Sequence, residues 1–575
     1  MKKQRNNPIF DRLNFLFVII IIAVIAIVFK LFNLQVVKHG YYEALASGQH
    51  SLFEELVPER GEIYVEDKFS KKLYPLAINK KMNLVYAVPK DIEDKNATSI
   101  LLSPLLSMSR NDIYDLISDE SKLYVPIKHK VESDTVEQIK NLNLTGISHQ
   151  TEDWRYYPDK VLGSHILGFV GFVNDQKKGQ YGVEGFYDNT LSGKNGFLQS
   201  EKNTLGEMIS GNSKNLVQGA EDGSDIVLTI DRLIQDKVET VVKDAVEKNG
   251  AESGSAIVLD PQTGAIIAMA GYPNFDPNSY SEVENVNDFS NSSIYELYEP
   301  GSAFKPLIVS MALDQSLITP ETKFNDNGKI EIGEYTIQNF DKKANGELTI
   351  TQILEKSNNI GMVQIARTLG RDKMYDYLIN YGFDENTGID LDTEAGANVK
   401  KPNEWSEMDF ATMSFGQGIA TTPLRLINAI ACVANGGRLL KPYIVKKIIR
   451  PDGSEETTKP KAVRQVIKPE TAETLSAMMV SVMENGFGQP ARVAGYKLAG
   501  KTGTAQVPSA DGKGYDPNKK ITTFVGFGPI EYPRFAILVK LNNPGGDVWA
   551  ESVTGPAFKS IAQELLKYYQ IAPSS

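Results

Sequence analysis

Tyr298-Glu-Pro-Gly-Ser-Ala-Phe-Lys-Pro306 decides how this chain is read. Ser302 and Lys305 stand three residues apart. On a helix they share one face, a turn apart, where an amine can take the proton of a hydroxyl. Pro306 lacks an N–H and is tolerated best in a first helical turn. The pattern predicts a helix that starts close to Ser302, with unpaired backbone N–H groups and the positive end of the helix dipole beside the hydroxyl. The same spacing is commonplace on solvated helices, so its meaning rests on the remainder of the chain.

Two further motifs follow in order, Ser357-Asn-Asn359 and Lys501-Thr-Gly-Thr504. Together the three form a set suited to acyl transfer. Ser302 attacks a carbonyl, and Lys305 accepts its proton if burial and nearby positive charge hold the amine neutral. Asn359 bonds Lys305 and a substrate amide, and Ser357 relays a proton to the leaving amine. Lys501, with Thr502 and Thr504, offers a cation and hydroxyls to a carboxylate. Gly503 lets the strand backbone approach a ligand closely. The N–H groups of Ser302 and Thr504 form the oxyanion hole.

One other motif overlaps the third. Gly495-Tyr-Lys-Leu-Ala-Gly-Lys-Thr502 spells a phosphate loop. That mechanism needs a buried strand before the loop and a helix after it. Asn485-Gly-Phe-Gly-Gln-Pro490 before it and Gly503, Pro508, Gly512 and Gly514 after it predict loops instead. A nucleotide site is not expected.

Composition narrows the chemistry further. The net charge of −11 is spread along the chain and argues against nucleic acid as a partner. All five histidines lie at or before His165. A Ser-His-Asp triad built within residues 166–575 is therefore excluded, as is a histidine-ligated zinc site there. No metal or other cofactor is expected. The single cysteine, Cys432, sits in the apolar run Leu426-Ile-Asn-Ala-Ile-Ala-Cys-Val-Ala434 and reads as core.

The N-terminus is basic, with Lys2, Lys3, Arg5 and Arg12, and an unbroken apolar run from Phe15 to Phe29 follows. Leu13 to Val37 is long enough to cross a bilayer if Lys30 snorkels. No small-residue cleavage site ends the run, so it reads as an uncleaved anchor. The flanking positive charge places residues 1–12 in the cytoplasm and the rest of the chain outside.

Residues 38–220 read as an extended α+β pedestal without chemistry of its own. Pro58-Glu-Arg-Gly-Glu-Ile63 predicts a turn into a strand, and Arg155 and Glu184 are candidates for a buried structural pair. A second body, residues 221–575, opens with a strand at Asp225–Ile230 and a helix capped by Asp231. Hairpin strands are expected at Ser255–Leu259 with Ala265–Ala270, and at Thr522–Gly528 with Arg534–Leu541. Helices are expected at Lys305–Asp314, Thr349–Leu369, Arg371–Tyr381, Pro423–Asn435 and Ala550–Tyr569. The fold class is α+β, an antiparallel sheet packed between helices.

With these residues in place, the sequence resembles the class B penicillin-binding proteins, the membrane-anchored peptidoglycan D,D-transpeptidases. Besides the three motifs, the likeness rests on Leu34-Gln-Val, Arg60-Gly-Glu-Ile63, Arg155-x-Tyr-Pro158, Gly182-Val-Glu-Gly185, Leu228-Thr-Ile-Asp231, Asp260-Pro-x-Thr-Gly264, Phe415-Gly-Gln-Gly418 and Thr422-Pro-Leu424. The resemblance implies that Ser302 forms an acyl-enzyme with the penultimate D-alanine of a stem peptide and is acylated by β-lactams. It also implies that the pedestal meets a glycan polymerase of the SEDS family and other division or elongation proteins. Glu299-Pro-Gly-Ser302 and Phe415-Gly-Gln-Gly418 lean toward the septal, cell-division branch. A membrane-anchored serine β-lactamase, a penicillin sensor, an elongation-branch transpeptidase and a silent scaffold are the competing readings. Tyr64-Val-Glu-Asp67 departs from the Asp-Arg-Asn-Gly turn usual in the family.

Overall fold

The structure, a computed structural model, describes residues 51–174, 176–201, 215–509, 514–546 and 548–574, with isolated positions between 17 and 31. Among the described residues no helix is long and apolar enough to cross a membrane. Most of the anchor expected over 13–37 lies outside them.

The chain forms two compact units. The smaller takes residues 1–61 and 192–224 and holds a three-stranded antiparallel sheet, Ser51–Leu56, Gly196–Glu201 and Asn215–Gln218. The larger takes residues 62–191 and 225–575 and contains every candidate site residue.

In the larger unit a mixed sheet ties early and late chain together. Ile63–Glu66 runs parallel to Asp225–Leu228, which pairs with Val445–Ile449. Leu73–Ala87 continues the sheet as a strand of 15 residues. No such long strand was expected, because no single period runs through it. Buried Leu76–Ala77 and Asn83–Val85 flank the partly exposed Asn79–Lys81, and the register shifts near Asn83 and Val85.

The five-stranded antiparallel sheet positions the site. Its strands are β1 (Ser253–Leu259), β2 (Ile266–Tyr272), β3 (Ala499–Pro508), β4 (Tyr515–Gly528) and β5 (Phe535–Asn542), in the order β2-β1-β5-β4-β3. β5 and much of β1 and β2 are near-continuous apolar runs buried on both faces, whereas β3 is built largely of small and polar residues. One face packs on helix α1 (Arg232–Asn249) and the long closing helix Ala550–Tyr568. Asp231 caps α1 by accepting from the N–H groups of Leu233 and Ile234, and Gly250 ends it in the left-handed region. The other face meets a mostly helical core that includes α2 (Lys305–Asp314). Cys432 is buried within it.

The helix expected over Thr349–Leu369 is two helices, α3 (Ile350–Glu355) and α4 (Asn359–Leu369). Its apolar period continues through Ile353, Leu354, Ile360 and Val363, which conceals the break. The chain turns at Ser357, whose φ is +49°. The Ser357 N–H donates to Leu354 O at 3.1 Å and the Asn358 N–H to Ile353 O at 2.9 Å, closing α3 in the way a glycine usually does. Asn358 then caps α4 by accepting from the Gly361 N–H.

Candidate active site

Ser302 lies in a 3-10 turn, Gly301–Phe304, that runs directly into α2 at Lys305. It is half-buried, whereas Lys305 is fully buried. The turn is fastened on both sides. The Gly301 N–H donates to Gly416 O at 3.0 Å, and a side chain on Gly416 would sit 2.1 Å from the Gly301 carbonyl oxygen. Only a glycine at position 416 permits that approach. Tyr298 and Thr421 exchange backbone bonds of 3.0 and 2.9 Å. Glu299 accepts from the Gly418 N–H and from the Tyr515 hydroxyl, both at 2.9 Å. Phe415-Gly-Gln-Gly418 thus clamps the loop that carries Ser302. Burial pushes the Glu299 carboxyl above its usual range.

On its other side the turn meets β3. A Cβ on Gly503 would lie 2.7 Å from the Pro300 carbonyl oxygen and 2.9 Å from Ala303 Cβ. The close approach expected of Gly503 toward a ligand is an approach to the Ser302 turn itself. Lys501 stands within β3, opposite Val525, and not at the start of a helix. The phosphate-loop spelling therefore has the wrong structure around it.

The amine of Lys305 donates to Ser357 O at 2.6 Å, to Asn359 Oδ1 at 2.8 Å and to Ser357 Oγ at 3.3 Å. Ser302 is not among these partners. Lys501, fully buried, donates to the same Ser357 Oγ at 3.0 Å, to Thr502 O at 3.1 Å and to Thr502 Oγ1 at 3.2 Å. One hydroxyl therefore stands between two buried amines. The Thr504 hydroxyl accepts from the Ala550 N–H at 3.2 Å, at the start of α5 (Ala550–Tyr568). Asn359 Nδ2 donates to Gln338 O at 3.0 Å, so its orientation is fixed from both ends.

Burial first, and then the neighbouring Lys501 charge, pull the Lys305 amine well below the usual lysine range. Burial pulls Lys501 to about 7, against an opposing pull from the Glu551 carboxylate. Two lysines in one dry pocket favour at least one neutral amine. The arrangement can therefore supply both a base and a cation.

Sequence reasoning gave no role to Glu299, although it lies in the stretch first quoted, nor to Asp326, Asn339 and Asn345. Those three accept or donate bonds around the Ser357 turn. They belong to polar, turn-rich stretches, where an asparagine or aspartate carries no period or motif to distinguish it.

Known families and proteins resemble this chain over most of its length. A family model of the penicillin binding protein transpeptidase domain matches residues 254–563, and one of the penicillin-binding protein dimerisation domain matches residues 55–228. The chain is similar to the stage V sporulation protein D of Bacillus subtilis (strain 168), at 31% identity over 575 residues, 99% of this chain and 87% of that protein. It is 30% identical over 512 residues to the peptidoglycan D,D-transpeptidase FtsI of Escherichia coli (strain K12), covering 87% of this chain and 83% of that one. Among solved structures it is similar to penicillin binding protein 3 of Mycobacterium tuberculosis complexed with aztreonam. The TM-score is 0.69 at 25% identity, over 91% of this chain and 98% of that one.

Proposed function

Because the chain belongs to the class B penicillin-binding proteins, the peptidoglycan D,D-transpeptidases, we propose that Ser302 is its acyl-carrying nucleophile and that it works in septal wall synthesis. The observation that carries the site assignment is the placement of Ser357 Oγ between the Lys305 and Lys501 amines. A neutral Lys305 has two N–H bonds. Its two shortest contacts, to Ser357 O and Asn359 Oδ1, use both. The lone pair is then left to take the Ser302 proton as the hydroxyl attacks the penultimate D-alanine carbonyl of a stem peptide. Ser357 passes a proton to the departing D-alanine amine, and the Ser302 ester then yields to the amine of a neighbouring strand. Lys501, with Thr502 and Thr504, binds the terminal carboxylate, whose charge favours the protonated lysine. The backbone N–H groups of Ser302 and Thr504 face the developing oxyanion. β-Lactams enter as carboxylate-bearing mimics of the same peptide.

The basic tail and the apolar run of residues 13–37 support a single-pass anchor with the catalytic body outside the cell. Residues 38–220 serve as the pedestal that meets a SEDS-family polymerase and division proteins. Residues 221–575 form the catalytic body.

Fluorescent penicillin tests the site. The wild type is expected to retain the label covalently, and Ser302→Ala is expected to lose it. Label that survives in the variant rejects this nucleophile. Imaging of a labelled fusion tests the place, with midcell signal expected. Because a relative matched over 99% of the chain is named for sporulation, the second reading is wall synthesis around a developing spore. Signal confined there, and absent from midcell, selects it.

A further inference from the structure

Ser357 holds a left-handed backbone conformation, which is strained for a residue with a side chain. Such strain persists only where the surroundings over-determine it. Glycine would relieve it, but glycine carries no hydroxyl to place between the two lysines. The turn therefore needs an external brace.

The brace converges on Asp326, the last residue of the strand Lys323–Asp326, 2% exposed. Its Oδ2 accepts from Asn339 Nδ2 and Asn358 Nδ2, each at 2.7 Å, and from Asn345 Nδ2 at 2.8 Å and the Asn345 N–H at 3.1 Å. Its Oδ1 accepts from the Gly328 N–H at 2.7 Å. Among the described residues no ion pair includes Asp326. Burial alone raises its carboxyl, but the hydrogen bonds of Asn345, Asn358, Gly328 and Asn339 outweigh it and hold the group below the usual range. It is an ionised carboxylate held by neutral donors alone.

Two of the three amides pass the restraint onward. Asn339 Oδ1 accepts from the Asn359 N–H at 3.0 Å, and Asn358 Oδ1 accepts from the Gly361 N–H at 2.7 Å. Asp326 thus bonds Asn358, the residue after the strained Ser357, directly and holds Asn359 through Asn339. We infer that Asp326 is a positioning residue for acyl transfer: through Asn339 and Asn358 it fixes the turn that presents Ser357 and Asn359 to Lys305. This rests on the acyl-enzyme reading above. An amide at position 326 keeps the shape but loses the charge and sets its NH2 against either the Gly328 N–H or the donors gathered at Oδ2, which loosens the turn.

The test measures acylation by fluorescent penicillin, resolved into the pre-acylation dissociation constant and the acylation rate constant. Asp326→Asn is expected to lower the rate constant by about ten- to a hundredfold, the scale of a small misplacement of catalytic groups. The dissociation constant is expected to stay within about threefold, since Lys501 sits on a strand that Asp326 does not touch. An Asp326→Asn rate within threefold of wild type overturns the inference. If Asp326→Asn does not fold, Asn345→Ala removes one outer donor and is expected to slow acylation three- to fivefold; an unchanged rate overturns the inference. Wild type that takes no label rejects the acyl-enzyme reading itself, whereas labelled wild type with an indifferent Asp326→Asn rejects only the brace.

Discussion

Lys305 and Lys501 meet around one serine hydroxyl, and among the described residues neither is in an ion pair. Arg155 and Glu184, in the stretch 62–191, are as deeply buried, but they are bonded to each other, Arg155 Nε to Glu184 Oε1 at 2.6 Å. Tyr157 adds a donor to Glu184 at 3.3 Å, and Asn79 accepts from Arg155 at 3.2 Å. Lys540 is a third case: its amine lies 2.7 Å from Glu296 and over the Tyr298 ring, beneath the Ser302 loop. Burial makes an isolated charge costly, and a lysine can escape that cost by releasing its proton. Paired charges have no such release and persist as fixed structure. The difference teaches which buried cations are poised for chemistry: those whose neighbours are hydroxyls, amides and another amine.

The sharpest way to break this contrast is to remove charge from each region in turn. Lys305→Met keeps the volume and deletes the amine. Acylation by fluorescent penicillin is expected to fall about a thousandfold, within the range of a lost general base. The melting temperature is expected to stay level or rise, because a buried, desolvated amine has been exchanged for an apolar group. A drop of several degrees would place Lys305 with the structural charges instead.

Glu184→Gln is expected to do the reverse. It leaves Arg155 buried without its counter-ion, which costs about 3 kcal/mol or more in urea unfolding. The folded fraction is expected to acylate within twofold of wild type. Replacing both partners, Arg155→Met with Glu184→Leu, is expected to recover most of the loss. Slow acylation in folded Glu184→Gln would give the pair a part in the reaction.

The two regions also differ in how far the sequence reveals them. Ser302 and Lys305 were legible together because their relation is local, three residues on one turn. The Asp231 cap and the Lys305–Asp314 helix were legible for the same reason. The buried Arg155–Glu184 pair is a candidate from sequence, yet its partner Asn79 comes from a strand pairing that no local signal encodes. The turn at Ser357 was hidden because apolar residues continue in helical phase across it. The direction in which Lys305 points, toward Ser357 and Asn359, depends on a break that the period denies. Asp326 was invisible for a further reason: its partners Asn339, Asn345 and Asn358 converge only after two strands and a helix start have been placed. Gly503 is expected from sequence to let the strand approach a ligand closely; the contact the structure shows is with the Ser302 turn, across distant parts of the chain.

A smaller effect sharpens the comparison from the carboxylate side. Glu239, on α1, accepts from the Gly163 N–H at 2.7 Å and from Gln235 Nε2 at 2.8 Å, both neutral donors. Burial therefore raises its carboxyl from an ordinary 4.5 to about 7. Between those values the native state holds a proton that the unfolded chain has released. The stabilisation is complete below 4.5 and is lost as the pH rises through about 7. Glu239→Gln imitates the protonated form at every pH. It is expected to match wild type near pH 5 and to exceed it by about 1–2 kcal/mol near pH 8, read as urea midpoints across that range. Glu184→Gln, measured beside it, is expected to be less stable than wild type at both ends, because Arg155 supplies the charge that Glu239 lacks. If the two glutamine variants trace the same pH dependence, the partner of a buried charge does not decide its role, and the contrast drawn from the lysines fails with it.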